Sequence, residues 1–102
     1  MSNPPIEPAS CVVVSGGSRG LGLAMVNAIL DRGAKVATFA RTITPELEQL
    51  VEQHPDRVHV ASVDATDHKA LNAFVKDAEK KLGPVDALVN NAAVGQDSLH
   101  VQ

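Results

Sequence analysis

Ser15-Gly16-Gly17-Ser18-Arg19-Gly20-Leu21-Gly22 is the stretch on which the reading of this chain turns. It follows a β-branched run, Cys11-Val12-Val13-Val14, and opens a segment from Gly20 to Arg32. In that segment Leu21, Ala24, Met25, Ala28 and Ile29 recur at helical spacing. A continuous apolar run that enters glycines and leaves as a helix reads as strand, turn and helix. Glycines at such a junction permit φ > 0, let the main chain come close to a pyrophosphate, and let helix lie tightly on strand. The helix N-terminus adds free N–H groups and partial positive charge. Two familiar patterns fail: G-x-G-x-x-G breaks at Met25, and the P-loop breaks at Leu23 and Ala24, where Lys and Ser/Thr are required. What remains is G-x-x-x-G-x-G at Gly16, Gly20 and Gly22. The plainer alternative is a tight turn with no ligand.

Working outward, Gly33 closes the first helix at the C′ position. Lys35 to Ala40 reads as a second strand, followed by a helix with Thr44 as N-cap, Pro45 at its first position, and Leu47, Leu50 and Val51 on one face. Arg57 to Val63 is a third strand. Thr66 or Asp67 caps a helix whose inner face carries Ala70, Leu71, Phe74, Val75, Ala78 and Leu82, and Gly83-Pro84 stops it. Val85 to Val89 is a fourth strand. Strict alternation of strands and helices implies parallel strands and right-handed crossovers. The expected fold is therefore α/β: a Rossmann-type parallel sheet of four strands alternating with three helices, an incomplete half of a doubly wound fold. Residues 1–10, with Pro4, Pro5 and Pro8, read as a disordered leader, and 11–102 as one truncated dinucleotide-binding domain.

Composition narrows the function. The chain has 102 residues, 44% of them hydrophobic, with two Phe and no Trp or Tyr. Val, Leu, Ile and Ala must therefore build the core, which suits a parallel sheet covered on both faces. A net charge of −3 argues against a nucleic-acid partner. No apolar run approaches the ~18 residues of a membrane span. The single cysteine, Cys11, allows no internal disulfide and suggests a reducing, cytoplasmic setting.

With these residues in view, the chain resembles the short-chain dehydrogenase/reductase family. The octet is similar to that family's T-G-x-x-x-G-x-G, with Ser15 for the threonine. Asp64 falls after the third strand, where the family has an Asp that contacts adenine, and Asn90-Asn91-Ala92-Ala93 is similar to its N-N-A-G. The resemblance implies a coenzyme site formed by Ser15, Gly16, Ser18, Arg19, Gly20, Leu21, Gly22, Arg41, Asp64, Ala65, Asn91, Ala92 and Ala93. It also implies strand order 3-2-1-4, and hydride transfer between NADPH and a carbonyl or alcohol substrate. Two departures stand out. Ala93 replaces a glycine, and the family's catalytic Ser and Y-x-x-x-K have no counterpart, since the chain has no Tyr. The chain alone is thus expected to be inactive. It would need the remaining half of the fold, or association with a second copy. The alternative is a non-catalytic nucleotide-binding or regulatory fragment.

Individual residues refine the picture. Arg41 lies about twenty residues past the glycine turn, where an acidic residue would take the ribose 2′-OH of NAD; Arg suits a 2′-phosphate. Arg19 resembles a second basic residue of NADP-preferring members, and no carboxylate lies between Thr38 and Thr42. NADP is therefore favoured over NAD, against the alternative of two solvated arginines. Asp64 could equally cap the third helix, and Asn90 and Asn91 could be turn residues. His54, His59, His68 and His100 show no metal-ligand spacing, and Cys11 reads as a small buried hydrophobe.

Overall fold

The computed structural model describes residues 10–90. The leader, apart from Ser10, lies outside the described residues. Seven elements alternate: β1 (Cys11–Ser15), α1 (Gly20–Asp31), β2 (Lys35–Ala40), α2 (Pro45–Gln53), β3 (Val58–Ser62), α3 (His68–Leu82) and β4 (Ala87–Asn90). All pairings are parallel, in the order β3-β2-β1-β4. This is the Rossmann-like α/β sheet that the alternation implies.

The register divides the core in two. Val12 pairs with Val36 and Ala87, and Val36 with Val58, on the face that packs with Val26, Ile29 and Leu30 of α1 and Leu47 of α2. Val13 and Ala37 point the other way, to Phe74, Ala78 and Leu82 of α3. Every residue of β1 is buried, which is why its sequence is a continuous apolar run rather than an alternating one. At the edge, Leu88 of β4 is 61% exposed.

The rotation of α1 differs from the sequence expectation. The buried stripe is Gly22, Val26, Ile29 and Leu30, while Leu21 is 60% exposed and Ala24 and Ala28 face outward. The reason is area: Val26, Ile29 and Leu30 bury far more apolar surface against the sheet than two alanines would, so they decide which face of α1 turns inward. The helix ends as its sequence suggests. Arg32 is the C-cap and Gly33 has φ 84°. The Gly33 N–H donates to Leu30 O at 3.0 Å and the Ala34 N–H to Ile29 O at 3.3 Å, the paired bonds of a Schellman motif. Arg57 adds its guanidinium, donating to Leu30 O and Ala34 O.

Of the three candidate caps for α3 (Asp64, Thr66 and Asp67), Asp67 takes the role, accepting the Ala70 N–H at 3.1 Å. At the far end Lys35 Nζ donates to Leu82 O at 2.8 Å, a cation at the negative pole of the helix. β4 begins two residues later than the apolar run. Asp86 meets β1 through its side chain instead, its carboxylate accepting the Cys11 N–H at 2.8 Å while its own N–H donates to Cys11 O. Among the described residues no helix is long and apolar enough to cross a membrane.

Candidate functional site

The glycine turn is held down from below. Gly16, at φ 72°, donates its N–H to Phe39 O at 2.8 Å. The Gly17 N–H donates to Thr38 Oγ1 at 3.1 Å, and that hydroxyl donates to Val14 O at 2.6 Å. A Cβ on Gly17 would collide with the Thr38 hydroxyl and press on Val26. Gly20, at φ 61°, has open space where a Cβ would stand. The turn therefore contains one glycine required by the fold and another that keeps its outer surface clear.

Above the turn, at the C-terminal ends of the parallel strands, lies a cleft of about 640 Å³. Three segments wall it: Gly16, Ser18 and Arg19 of the turn, Phe39 to Thr42 at the end of β2, and Val63 to Thr66 beyond β3. The chain leaves β1 toward β2 and β3, then returns to place β4 on the other side of β1. Such a reversal, here between β1 and β4, opens a crevice at the strand ends where open α/β sheets take ligands, and the described cleft lies on its β2 and β3 side.

Of the residues expected at the site, Gly16, Ser18, Arg19, Arg41, Asp64 and Ala65 share this cleft. Ser15 and Gly22 are buried beneath it, Gly20 opens α1 at its edge, and Leu21 points outward. Asn91, Ala92 and Ala93 lie outside the described residues. Of Asn90 the backbone is placed, opposite Ser15 at the end of β4.

The charged groups pair across the cleft. Arg41 Nη2 lies 3.6 Å from Asp64 Oδ2, with both side chains open to solvent, so the pair contributes little binding energy of its own. Asp64 Oδ1 accepts the Thr66 N–H at 2.9 Å and the Thr66 hydroxyl at 2.8 Å. These bonds, with the Arg41 charge as a lesser contribution, hold its carboxyl below the usual carboxylate value. Asp64 is thus not the α3 cap; it organises the turn before it. The Arg41 main chain is fixed by Ser62, whose hydroxyl donates to Arg41 O at 2.8 Å.

Thr42 and Thr66 line the cleft and Thr38 supports the turn beneath it, although no motif in the sequence marks them as site residues. Thr38 does carry a signal, being a polar residue inside an apolar strand, and Asp64-Ala65-Thr66 has the spacing of an Asx turn. Thr44 sits at the N-cap position but makes no cap bond; its hydroxyl donates to Ser18 O at 2.8 Å. Elsewhere, burial and the nearby Asp86 charge push the Cys11 thiol up, which disfavours thiolate chemistry. His59 stacks on Phe74 with centroids 5.4 Å apart. Among the described residues no group of His, Cys, Asp or Glu could hold a metal ion.

Residues 10–101 match the short chain dehydrogenase family model. The agropine synthesis reductase of Rhizobium rhizogenes is 34% identical over 91 residues, covering 89% of this chain and 21% of that protein. An uncharacterized oxidoreductase of Schizosaccharomyces pombe is 42% identical over 84 residues, 81% of this chain and 32% of that one. Among solved structures, the KRED1-Pglu enzyme superposes with TM-score 0.75 at 34% identity, covering 90% of this chain and 39% of its own. An NADPH-bound short chain oxidoreductase from Pseudomonas aeruginosa PAO1 gives TM-score 0.70 at 33% identity, covering 82% and 35%. A 3-ketoacyl-(acyl-carrier-protein) reductase from Brucella melitensis, complexed with NADH, gives 0.70 at 25%, covering 79% and 33%. The chain spans between about a fifth and two fifths of the length of these proteins. On the family match and on the fold that carries it, this chain belongs to the short-chain dehydrogenase family.

Proposed function

We propose that the cleft takes the adenosine end of NADP(H), and that the protein carrying this chain moves hydride between NADPH and a carbonyl or alcohol substrate. The observation that carries this reading is the placement of Arg19 and Arg41 on one cleft with the glycine turn. No carboxylate stands between Thr38 and Thr42 to receive a free ribose 2′-OH. Guanidinium groups offer a 2′-phosphate paired hydrogen bonds that a hydroxyl could not use. Solved relatives hold NADPH in one case and NADH in another, so the preference rests on this chain's own arginines.

In this reading the turn residues Gly16, Ser18, Gly20, Leu21 and Gly22 present the start of α1 to the pyrophosphate, above Ser15. Asp64 and Ala65 border the adenine, and Asn91, Ala92 and Ala93 line the ribose side. The bound nicotinamide supplies the hydride. The chain contains no tyrosine, so its share of the work is binding and orientation, and proton delivery falls to groups outside it. Fluorescence titration of the protein with NADPH and NADH tests the reading. NADPH should bind several-fold more tightly, and Arg41→Asp should shift the preference toward NADH, because a carboxylate repels phosphate and accepts from the 2′-OH. Equal affinities in the unmodified protein would overturn it.

A further inference from the structure

Thr44 has the extended backbone of a helix N-cap, φ −84° and ψ 160°, yet its hydroxyl caps nothing. It reaches instead across 26 residues to Ser18 O, at 2.8 Å. Ser18, only 5% exposed, returns the contact by donating its own hydroxyl to Thr42 O. Ser18 thus uses its side chain and its carbonyl on the same loop, two residues apart. Ser and Thr at an N-cap usually stabilise the helix by about 1 kcal/mol. Here α2 begins with Pro45 at its first turn and with Glu46 and Glu48 at its positive pole, which lessen the need for that bond.

Arg41 immediately precedes the clamped segment. Its carbonyl is tied to Ser62 on the β3 side, and the next carbonyl, that of Thr42, is tied to Ser18 on the turn side. The main chain of Arg41 is therefore anchored from two directions, while its side chain remains 77% exposed. An arginine grips phosphate through two parallel N–H bonds, whose geometry is sensitive to where the Cα stands.

We propose that Ser18 and Thr44 are positioning residues: the Thr44 hydroxyl bonded to Ser18 O and the Ser18 hydroxyl bonded to Thr42 O hold the 41–44 loop against the glycine turn, so that Arg19 and Arg41 meet a single 2′-phosphate. Coenzyme discrimination then depends on Thr44, which does not itself line the cleft. The inference rests on the NADP(H) reading above. Because the 2′-phosphate is the difference between the two coenzymes, loosening the loop weakens NADPH and spares NADH.

The test is equilibrium binding of NADPH and NADH to the unmodified protein and to Thr44→Val, Thr44→Ser and Arg41→Ala. Thr44→Val should lower the NADPH-over-NADH affinity ratio roughly three- to ten-fold, the equivalent of one ordinary hydrogen bond. Thr44→Ser keeps the hydroxyl and should keep the ratio. Thr44→Ala carries the same test should the valine variant fold poorly. If Thr44→Val weakens both coenzymes equally, the bond serves the fold alone and the inference is overturned. It is also overturned, by itself, if Arg41→Ala collapses the ratio and Thr44→Val leaves it intact. If Arg41→Ala leaves the ratio unchanged, the NADP(H) reading falls and this inference with it.

Discussion

Thr38 accepts the Gly17 N–H at 3.1 Å on a hydroxyl that also donates to Val14 O at 2.6 Å. One fully buried side chain thereby joins β1, β2 and the glycine turn. Thr38→Val preserves shape and removes both bonds, leaving a buried N–H without its acceptor. It should cost about 1–3 kcal/mol of stability. Affinity for NADPH and NADH should fall together, since the pyrophosphate proposed to sit on the turn is common to both. Urea unfolding with paired coenzyme titrations checks this, and an unchanged unfolding midpoint would contradict it.

Gly17 and Gly20 should fail in different ways. Gly17→Ala drives a methyl into the Thr38 hydroxyl and against Val26, so it should destabilise the fold by about 1–3 kcal/mol. At Gly20 a side chain enters open space, but on a backbone at φ 61°, a strain of roughly 1–2 kcal/mol. Gly20→Val should abolish nucleotide binding while leaving helical content largely intact, because the branched side chain fills the approach to α1. Circular dichroism beside NADPH titration separates the two outcomes. Undiminished NADPH affinity in Gly20→Val would place the phosphates elsewhere.

Asp64 stands 3.6 Å from the Arg41 guanidinium, where its charge would compete with the 2′-phosphate of the proposed coenzyme. Its carboxyl is held low by the Thr66 N–H and hydroxyl, so it stays ionised throughout the neutral range. Asp64→Asn removes the charge and should raise the NADPH-over-NADH affinity ratio up to several-fold, in keeping with the small energies of exposed pairs. The effect should shrink in high salt. A ratio that drops in Asp64→Asn would show that the carboxylate supports Arg41 rather than competing for it.

His59 provides a pH signature. Burial against Phe74, reinforced by the Lys81 charge and only partly offset by Asp77, holds its imidazole below the ordinary 6.5. Between that ordinary value and the lower folded one, the unfolded chain binds more protons than the folded chain, so stability rises with pH. The contribution is complete above the ordinary value and is lost as the pH falls from there through the folded value. Unfolding free energies of the unmodified protein and His59→Gln, compared from pH 7.5 down to 5, should converge as the pH drops. A constant difference across that range would rule the linkage out.

The order of elements, the place of the glycine turn, the Schellman end of α1 and the α3 face from Ala70 to Leu82 all follow from the sequence alone. So does the pairing of β-branched runs into a parallel sheet, because these signals are local: a backbone angle, a missing side chain, a periodicity over a few turns. Strand ends were legible to within two residues, the shift at β4 arising because Asp86 bonds to Cys11 across 75 positions. The contents of the cleft were half legible. Arg19, Arg41 and Asp64 could be named from residue type and spacing, but the salt bridge between Arg41 and Asp64 could not. Only the tertiary structure decided which face of α1 is buried, that Asp67 rather than Asp64 caps α3, and that Thr44 leaves its helix to hold Ser18. A hydroxyl is a short group able to bond almost any neighbour. Its partner is therefore chosen by which main-chain atom the fold brings within about 3 Å, and for Thr38 and Thr44 that atom belongs to a residue more than twenty positions away.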